Sequence, residues 1–137
     1  MGNGIAGLTA ADSLRAGGFD GELTIVGAES VPAYSRPALS KALLRADADL
    51  TAHALPAPDH GATELLGVAA SALDPDRRIL SLDDGTQLTY DGLVIASGSR
   101  ARRLGHGPDE FVLRTLDDAL HLRARIASRP DVVIVGG

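Results

Sequence analysis

Three glycines and one acid carry the first chemical signal. The chain opens Met1-Gly2-Asn3-Gly4-Ile5-Ala6-Gly7, and Glu29 stands 22 residues after Gly7. Where such a loop feeds a helix, glycine at Gly2 permits a tight turn, at Gly4 it lets an anion approach the backbone, and at Gly7 it allows close helix packing. The first helical turn, which includes Ala6, then offers N–H groups and the positive end of the helix dipole to a phosphate. A carboxylate about 20 residues further on accepts hydrogen bonds from an adenosine ribose and disfavours a 2′-phosphate. Taken alone the glycine pattern is weak, because a chain with 16 glycines produces one by chance. The alternatives are a helix that merely starts at glycines and an exposed loop glutamate.

The elements around these residues decide between the readings. Ile5, Leu8, Ala11 and Leu14 fall on one helical face, Gly17-Gly18 stops the helix, and Glu22 to Val26 reads as a buried strand ending just before Glu29. Glycine loop, helix, strand and acid thus follow in the order of a dinucleotide-binding βαβ unit. The apolar strand that should lead into Gly2 is missing, since only Met1 precedes it. Further along, Tyr34 to Leu44 reads as a proline-fixed loop and a short helix, Arg45 to His60 as irregular, and Glu64 to Leu66 as a short strand. Val68 to Leu73, Arg78 to Leu82 and Gln87 to Tyr90 are short runs separated by Asp74-Pro75-Asp76 and Asp83-Asp84-Gly85-Thr86. They predict a three-stranded antiparallel meander over about 67–90. Leu93 to Ala96 reads as an apolar strand entering Ser97-Gly98, and Thr115 with Asp118 has the spacing of a helix capping box. Asp131 to Gly137 is a further apolar strand arriving at glycines. The fold class expected is α/β, a Rossmann-like parallel sheet with an inserted meander and its first strand missing.

Composition narrows the function. A net charge of −5 with scattered basic residues argues against a nucleic-acid partner, and the local group Arg100, Arg102, Arg103 reads equally well as a solvated loop. With no cysteine, the chain holds neither a disulfide nor a redox-active thiol pair. His53, His60, His106 and His121 share no metal-ligand spacing, so no metal is expected. Ser13, Ser40 and Ser97 lack a nucleophile-elbow context, and no catalytic residue is assignable. No apolar run approaches the ~20 residues of a membrane span, and no basic-then-apolar leader opens the chain. The expectation is a cytoplasmic protein without a membrane partner.

The run Tyr34-Ser35-Arg36-Pro37-Ala38-Leu39-Ser40-Lys41 resembles the Tyr-x-Arg-Pro-Pro-Leu-Ser-Lys signature of ferredoxin, rubredoxin and putidaredoxin reductases, shared by apoptosis-inducing factor and related flavoproteins. Asp84-Gly85-Thr86, Tyr90 to Gly98 and Leu113 to Ala119 match further segments in the family's order, so that the resemblance spans essentially the whole chain. The resemblance implies FAD as cofactor, and in the full-length parent NAD(P)H as electron donor and a small iron–sulfur protein, ferredoxin or rubredoxin, as acceptor. It also implies that Ala6 and its neighbours contact the FAD phosphates, that Arg36 and Lys41 sit near the pyrophosphate and flavin ring, and that Arg114 touches the cofactor from a later loop. Ala96-Ser97-Gly98 corresponds to the family's Ala-Thr-Gly crossing near the cofactor, and Ala70 to a valine whose backbone faces the adenine. Taken without the motif, Lys41 would be a solvated lysine.

Several positions depart from the family pattern. The usual acid after the second strand is Ala28 here, with Glu29 following, and the second proline of the signature is Ala38. The first strand and the later Gly-Asp element are absent. The expected domain is therefore 1–137 as a partial FAD-binding domain, with 131–137 as the first strand of a truncated NAD-binding domain. Its expected function is the FAD-binding part of an oxidoreductase, inactive alone. The rivals are a piece of an NADH oxidase, of a nitrite reductase component or of an apoptosis-inducing-factor-like protein, and a non-catalytic nucleotide-binding remnant. The vacant strand position leads to one more expectation: the strand Val132 to Val135 fills it, in the same chain or by strand exchange with a partner copy.

Overall fold

The computed structural model describes residues 1–45, 47–49, 53–55, 59–105 and 107–136. Parts of the expected irregular segment from Arg45 to His60, together with His106 and Gly137, lie outside the described residues. The chain forms two compact units, Met1–Tyr34 with Ala54–Gly98, and Ser35–His53 with Ser99–Gly137.

The first unit is layered. Helix α1, Ile5–Ala16, starts at Gly4 and closes at Gly17 and Gly18. Gly18 takes φ +88, a left-handed conformation open to glycine, and its N–H donates to Arg15 O at 3.0 Å. Strand β1, Thr24–Gly27, pairs in parallel with β2, Thr63–Leu66, in the register Thr24 to Thr63 through Gly27 to Leu66. On one side of this pair Leu8 and Ala11 of α1 pack with Ile25, joined by Leu23, Ala33, Leu55 and Ala62. On the other, Val26 packs with Leu80 and Leu82 of an antiparallel meander made of β3, Ala70–Asp74, β4, Ile79–Leu82, and β5, Gln87–Thr89. The period-2 alternation of β4 puts Leu80 and Leu82 on the buried face, at 4% and 3% exposure. The expected α/β class, its parallel sheet and its inserted meander are all present, and the strand expected at Glu64 to Leu66 is β2.

The expected helical face of α1 is only half buried. Leu8 and Ala11 are in the core, whereas Ile5 and Leu14 are 67% and 38% exposed. Leu14 lines an open groove of about 580 Å³ within this unit, bounded by Leu23 to Val26 and by Leu93, Val94 and Ala96. The apolar strand expected over Leu93 to Ala96 is not a regular strand. A strand needs a neighbour to ladder with, and among the described residues this segment's backbone bonds run to Met1, through Met1 N to Val94 O and Ala96 N to Met1 O, both 2.8 Å.

The second unit is built on two 3-10 turns, Arg36–Ala38 and Ala42–Leu44, and on helix α2, Leu116–Ile126. Two tight turns stand where a single short helix was expected, because Pro37 removes an N–H and Lys41 adopts a non-helical backbone (φ −127, ψ −98). Leu43 and Ala119, at 1% and 0% exposure, anchor this unit's core. The capping box of α2 is complete: Thr115 Oγ1 accepts from Asp118 N at 3.2 Å and the Asp118 carboxylate accepts from Thr115 N at 2.8 Å.

Burial pushes the Asp118 carboxyl up, but the backbone N–H groups of Thr115 and Arg114, the Thr115 hydroxyl and the charge of Arg103 outweigh it and hold the group below its ordinary value. A depressed carboxyl stabilises the fold above the unfolded value of about 3.9, and this contribution is lost as pH falls through the lower folded value. Because Asp118 is part-exposed and its charge screened, Asp118→Asn is expected to cost only about 0.5 kcal/mol at neutral pH and almost nothing at the acid end, read by urea unfolding at a series of pH values. An equal cost at every pH would mean that the charge contributes nothing.

The buried strand expected at Asp131 to Gly137 is not found among its described residues. Val132, Val133, Ile134 and Val135 are irregular and 57%, 89%, 87% and 73% exposed. The expectation that this segment fills the vacant position of its own chain is thus overturned: an apolar run becomes a strand only where backbone partners and two covering faces are available, and among the described residues it pairs in no strand and stays exposed.

Candidate functional site

Sequence and backbone meet most closely at the glycine loop. Gly2 lies at φ +111, its N–H donates to Val26 O at 2.8 Å, and a Cβ on it would collide with the Ala96 carbonyl. A Cβ on Gly7 would collide with the Gly2 carbonyl. Both glycines are therefore required by close backbone approach. Gly4 differs, since a Cβ there would meet nothing within 4 Å. It is the N-cap of α1, no side chain caps the helix, and no acid stands in its first turn. The first i to i−4 bond runs from Leu8 N to Gly4 O at 3.0 Å, which leaves the N–H groups of Ile5, Ala6 and Gly7 ahead of the helical ladder. Open space, unused donors and a positive dipole end coincide, and this fits a diphosphate.

Glu29 stands two residues beyond the end of β1, and one carboxylate oxygen accepts from Tyr34 Oη at 2.6 Å. Its backbone carbonyl accepts from Gly67 N at 3.1 Å, fixing the loop that carries the acid. Asn3 is pressed against the strand end: a Cβ on Gly27 would come within 2.7 Å of the Asn3 Cβ, and Asn3 Oδ1 is a buried acceptor with no hydrogen-bond partner. Neither Tyr34 nor Asn3 stood out in the sequence as a site residue. The sequence marks Tyr34 only as the first letter of a motif, and nothing in it marks the orphaned oxygen of Asn3.

Other sequence-derived positions share this unit. Ala96 backs the loop at Gly2 and Gly7, Ser97 is exposed, and Gly98 turns away at φ +69. Ala70 opens β3, opposite Leu82 and next to a bulge. Arg36, Lys41 and Arg114 belong to the second unit. Arg36 Nη1 donates to Arg114 O at 2.7 Å, and Arg114 Nε donates to Ser99 O at 2.9 Å, so that the signature turn and the later loop are joined within that unit. Lys41 is exposed, with a long contact of 3.5 Å from Nζ to Pro37 O.

The fold and the glycine loop define a dinucleotide-binding α/β protein. The chain belongs to the pyridine nucleotide-disulphide oxidoreductase family, whose description fits residues 1–137. It is 41% identical to the ferredoxin–NAD(+) reductase component of the p-cumate 2,3-dioxygenase system of Pseudomonas putida, over all of this chain and 36% of that protein. Among solved structures it is similar to a ferredoxin reductase from Rhodopseudomonas palustris (TM-score 0.83, 32% identity, 93% of this chain and 33% of that one). It is also similar to putidaredoxin reductase in its covalent complex with putidaredoxin (TM-score 0.77, 36% identity, 91% and 33%). The chain thus spans about a third of the length of these relatives. Although the family is named for disulphides, these 137 residues contain no cysteine, and no thiol step takes place within them.

Proposed function

We propose that this chain is the FAD-binding part of an NAD(P)H-dependent flavoprotein reductase that passes electrons to a ferredoxin- or rubredoxin-type acceptor, that it works in the cytoplasm, and that it is inactive by itself. The observation that carries the reading is the glycine loop, where backbone crowds Gly2 and Gly7 while a Cβ on Gly4, the N-cap of α1, would meet nothing within 4 Å. When bound, FAD supplies the capacity to take a hydride and release single electrons. The chain's own task is to hold and orient it. The N–H groups of Ile5, Ala6 and Gly7 receive the diphosphate, Glu29 accepts from the ribose hydroxyls, and Ala70 and Ala96-Ser97-Gly98 line the adenosine and loop side. Arg36, Lys41 and Arg114 are assigned to the cofactor through the family signature, with their positive charges balancing the diphosphate.

Calorimetric titration with ADP and FAD tests this proposal. Similar, weak affinities for the two are expected, because the loop contacts serve the adenosine diphosphate half that both share. Absence of saturable binding of either nucleotide would overturn it, whereas stoichiometric, tightly held flavin would overturn only the expected weakness of binding. Glu29→Ala is expected to weaken ADP binding about tenfold, the size of one hydrogen bond to a charged group, without loss of fold. Unchanged affinity would return Glu29 to an ordinary loop acid held by Tyr34.

A further inference from the structure

Tyr34 reaches the Glu29 carboxylate across a loop whose two ends are anchored separately. Its Oη donates at 2.6 Å, inside the roughly 2.5–2.7 Å range of a strong hydrogen bond to an ionised oxygen. Both residues are half-buried, which shields the bond in part from water. On the Glu29 side, backbone pairing continues past the ends of β1 and β2: Val68 N donates to Gly27 O at 3.2 Å and Gly67 N to Glu29 O at 3.1 Å. On the other side, Tyr34 forms an antiparallel bridge with Ala54, and Leu55 N donates to Ala33 O at 2.8 Å. Ala33 and Leu55 pack in turn on the core of Leu8, Ala11 and Ile25. The hydroxyl therefore meets the acid from a backbone that is itself fixed.

The place of the acid gives this support a purpose. β1 ends at Gly27 and Ala28 follows, so Glu29 stands one residue further from the strand than an acid directed by the strand end itself. A glutamate on a loop has several rotatable bonds, and ordering them at the moment of binding weakens affinity unless they are ordered beforehand. An ionised carboxylate has about four acceptor positions, of which the Tyr34 hydroxyl takes one. A ribose with both its 2′- and 3′-hydroxyls presents two O–H donors on adjacent carbons, and the same carboxylate has the capacity to receive them.

We infer that Tyr34 is a positioning residue: its hydroxyl holds the Glu29 carboxylate in the orientation that accepts an adenosine ribose, and it thereby sets a preference for nucleotides with an intact 2′,3′-diol. This inference rests on the assignment of Glu29 to the ribose in the proposed function.

Calorimetric titration of the wild type, Tyr34→Phe, Glu29→Ala and the double variant with ADP and with 2′-deoxy-ADP tests it. The wild type is expected to prefer ADP by about tenfold, the size of one hydrogen bond to a charged group. Tyr34→Phe removes a single oxygen from a half-buried ring and should keep wild-type circular dichroism. It should lose about fivefold in ADP affinity and less in 2′-deoxy-ADP affinity, so that the preference narrows. Tyr34→Phe, Glu29→Ala should bind ADP no more weakly than Glu29→Ala alone, because the hydroxyl acts only through the carboxylate. A merely structural role would weaken both nucleotides alike and leave their ratio unchanged. An unchanged ratio in Tyr34→Phe, or additive losses in the double variant, would overturn this inference while leaving the proposed function standing. Equal wild-type affinity for ADP and 2′-deoxy-ADP would overturn it together with the ribose assignment of Glu29, and absence of saturable ADP binding would overturn the proposed function as well.

Discussion

Gly7→Ala is expected to destabilise the chain by about 3 kcal/mol or more and to abolish ADP binding, while Gly4→Ala folds normally and loses at least tenfold in ADP affinity. The contrast follows from what surrounds each position. A methyl group at Gly7 lands on the Gly2 carbonyl, whose own residue is fixed by its bond to Val26 O, so relief requires moving the loop or α1 bodily. At Gly4 the backbone, φ −113 and ψ −175, suits any L-residue, and the space is empty. Its methyl group costs the fold only tenths of a kcal/mol, but it occupies the approach assigned to the diphosphate. Urea unfolding and calorimetry on the two variants separate the roles. Wild-type ADP affinity in Gly4→Ala would move the phosphate away from this loop.

Arg15→Ala is expected to cost about 2–3 kcal/mol, the second-largest effect, although Arg15 belongs to no assigned site. Its Nε donates to His60 O at 2.8 Å and its Nη1 to Phe19 O and Gly21 O at 2.7 and 2.8 Å, with the guanidinium 5.6 Å above the Phe19 ring. One planar cation thus ties the end of α1, the turn into β1 and the segment before β2. Hydrogen bonds from a charged donor contribute about 1.5–3 kcal/mol each, reduced here by partial exposure. Arg15→Lys keeps the favourable charge at the helix C-terminus, worth about 0.3–1 kcal/mol, but not the fork, and should recover less than half of the loss in thermal unfolding. Full recovery would show that charge rather than geometry matters.

These two predictions mark what the residues disclose by themselves. Local patterns were legible: the alternation of Ile79 to Leu82, the turns at Asp74-Pro75 and Asp84-Gly85, and the Thr115 to Asp118 box each encode their element through contacts a few residues away. The close backbone approach at Gly2 and Gly7 was legible because only glycine leaves room for it, and the order of loop, helix, strand and acid is a sequence property. Leu93 to Ala96 and Val132 to Val135 were misread for a shared reason. Their apolarity specifies a buried parallel strand, but parallel strands depend on distant partners, and among the described residues neither run has a full ladder. The role of Arg15 was invisible, since its acceptors are carbonyls brought together only by folding. So was the pairing of Tyr34 with Glu29, which rests on the course of the loop between them.

Amide NMR during an ADP titration tests most directly whether the start of α1 receives a dinucleotide diphosphate. The expected result is saturable shifts largest at the N–H groups of Gly4, Ile5, Ala6 and Gly7, with smaller ones at Glu29, and in Gly4→Ala the same shifts only at about tenfold or more higher ADP. Shifts centred elsewhere in the chain, or none at millimolar ADP while the spectrum remains that of a folded protein, would contradict it.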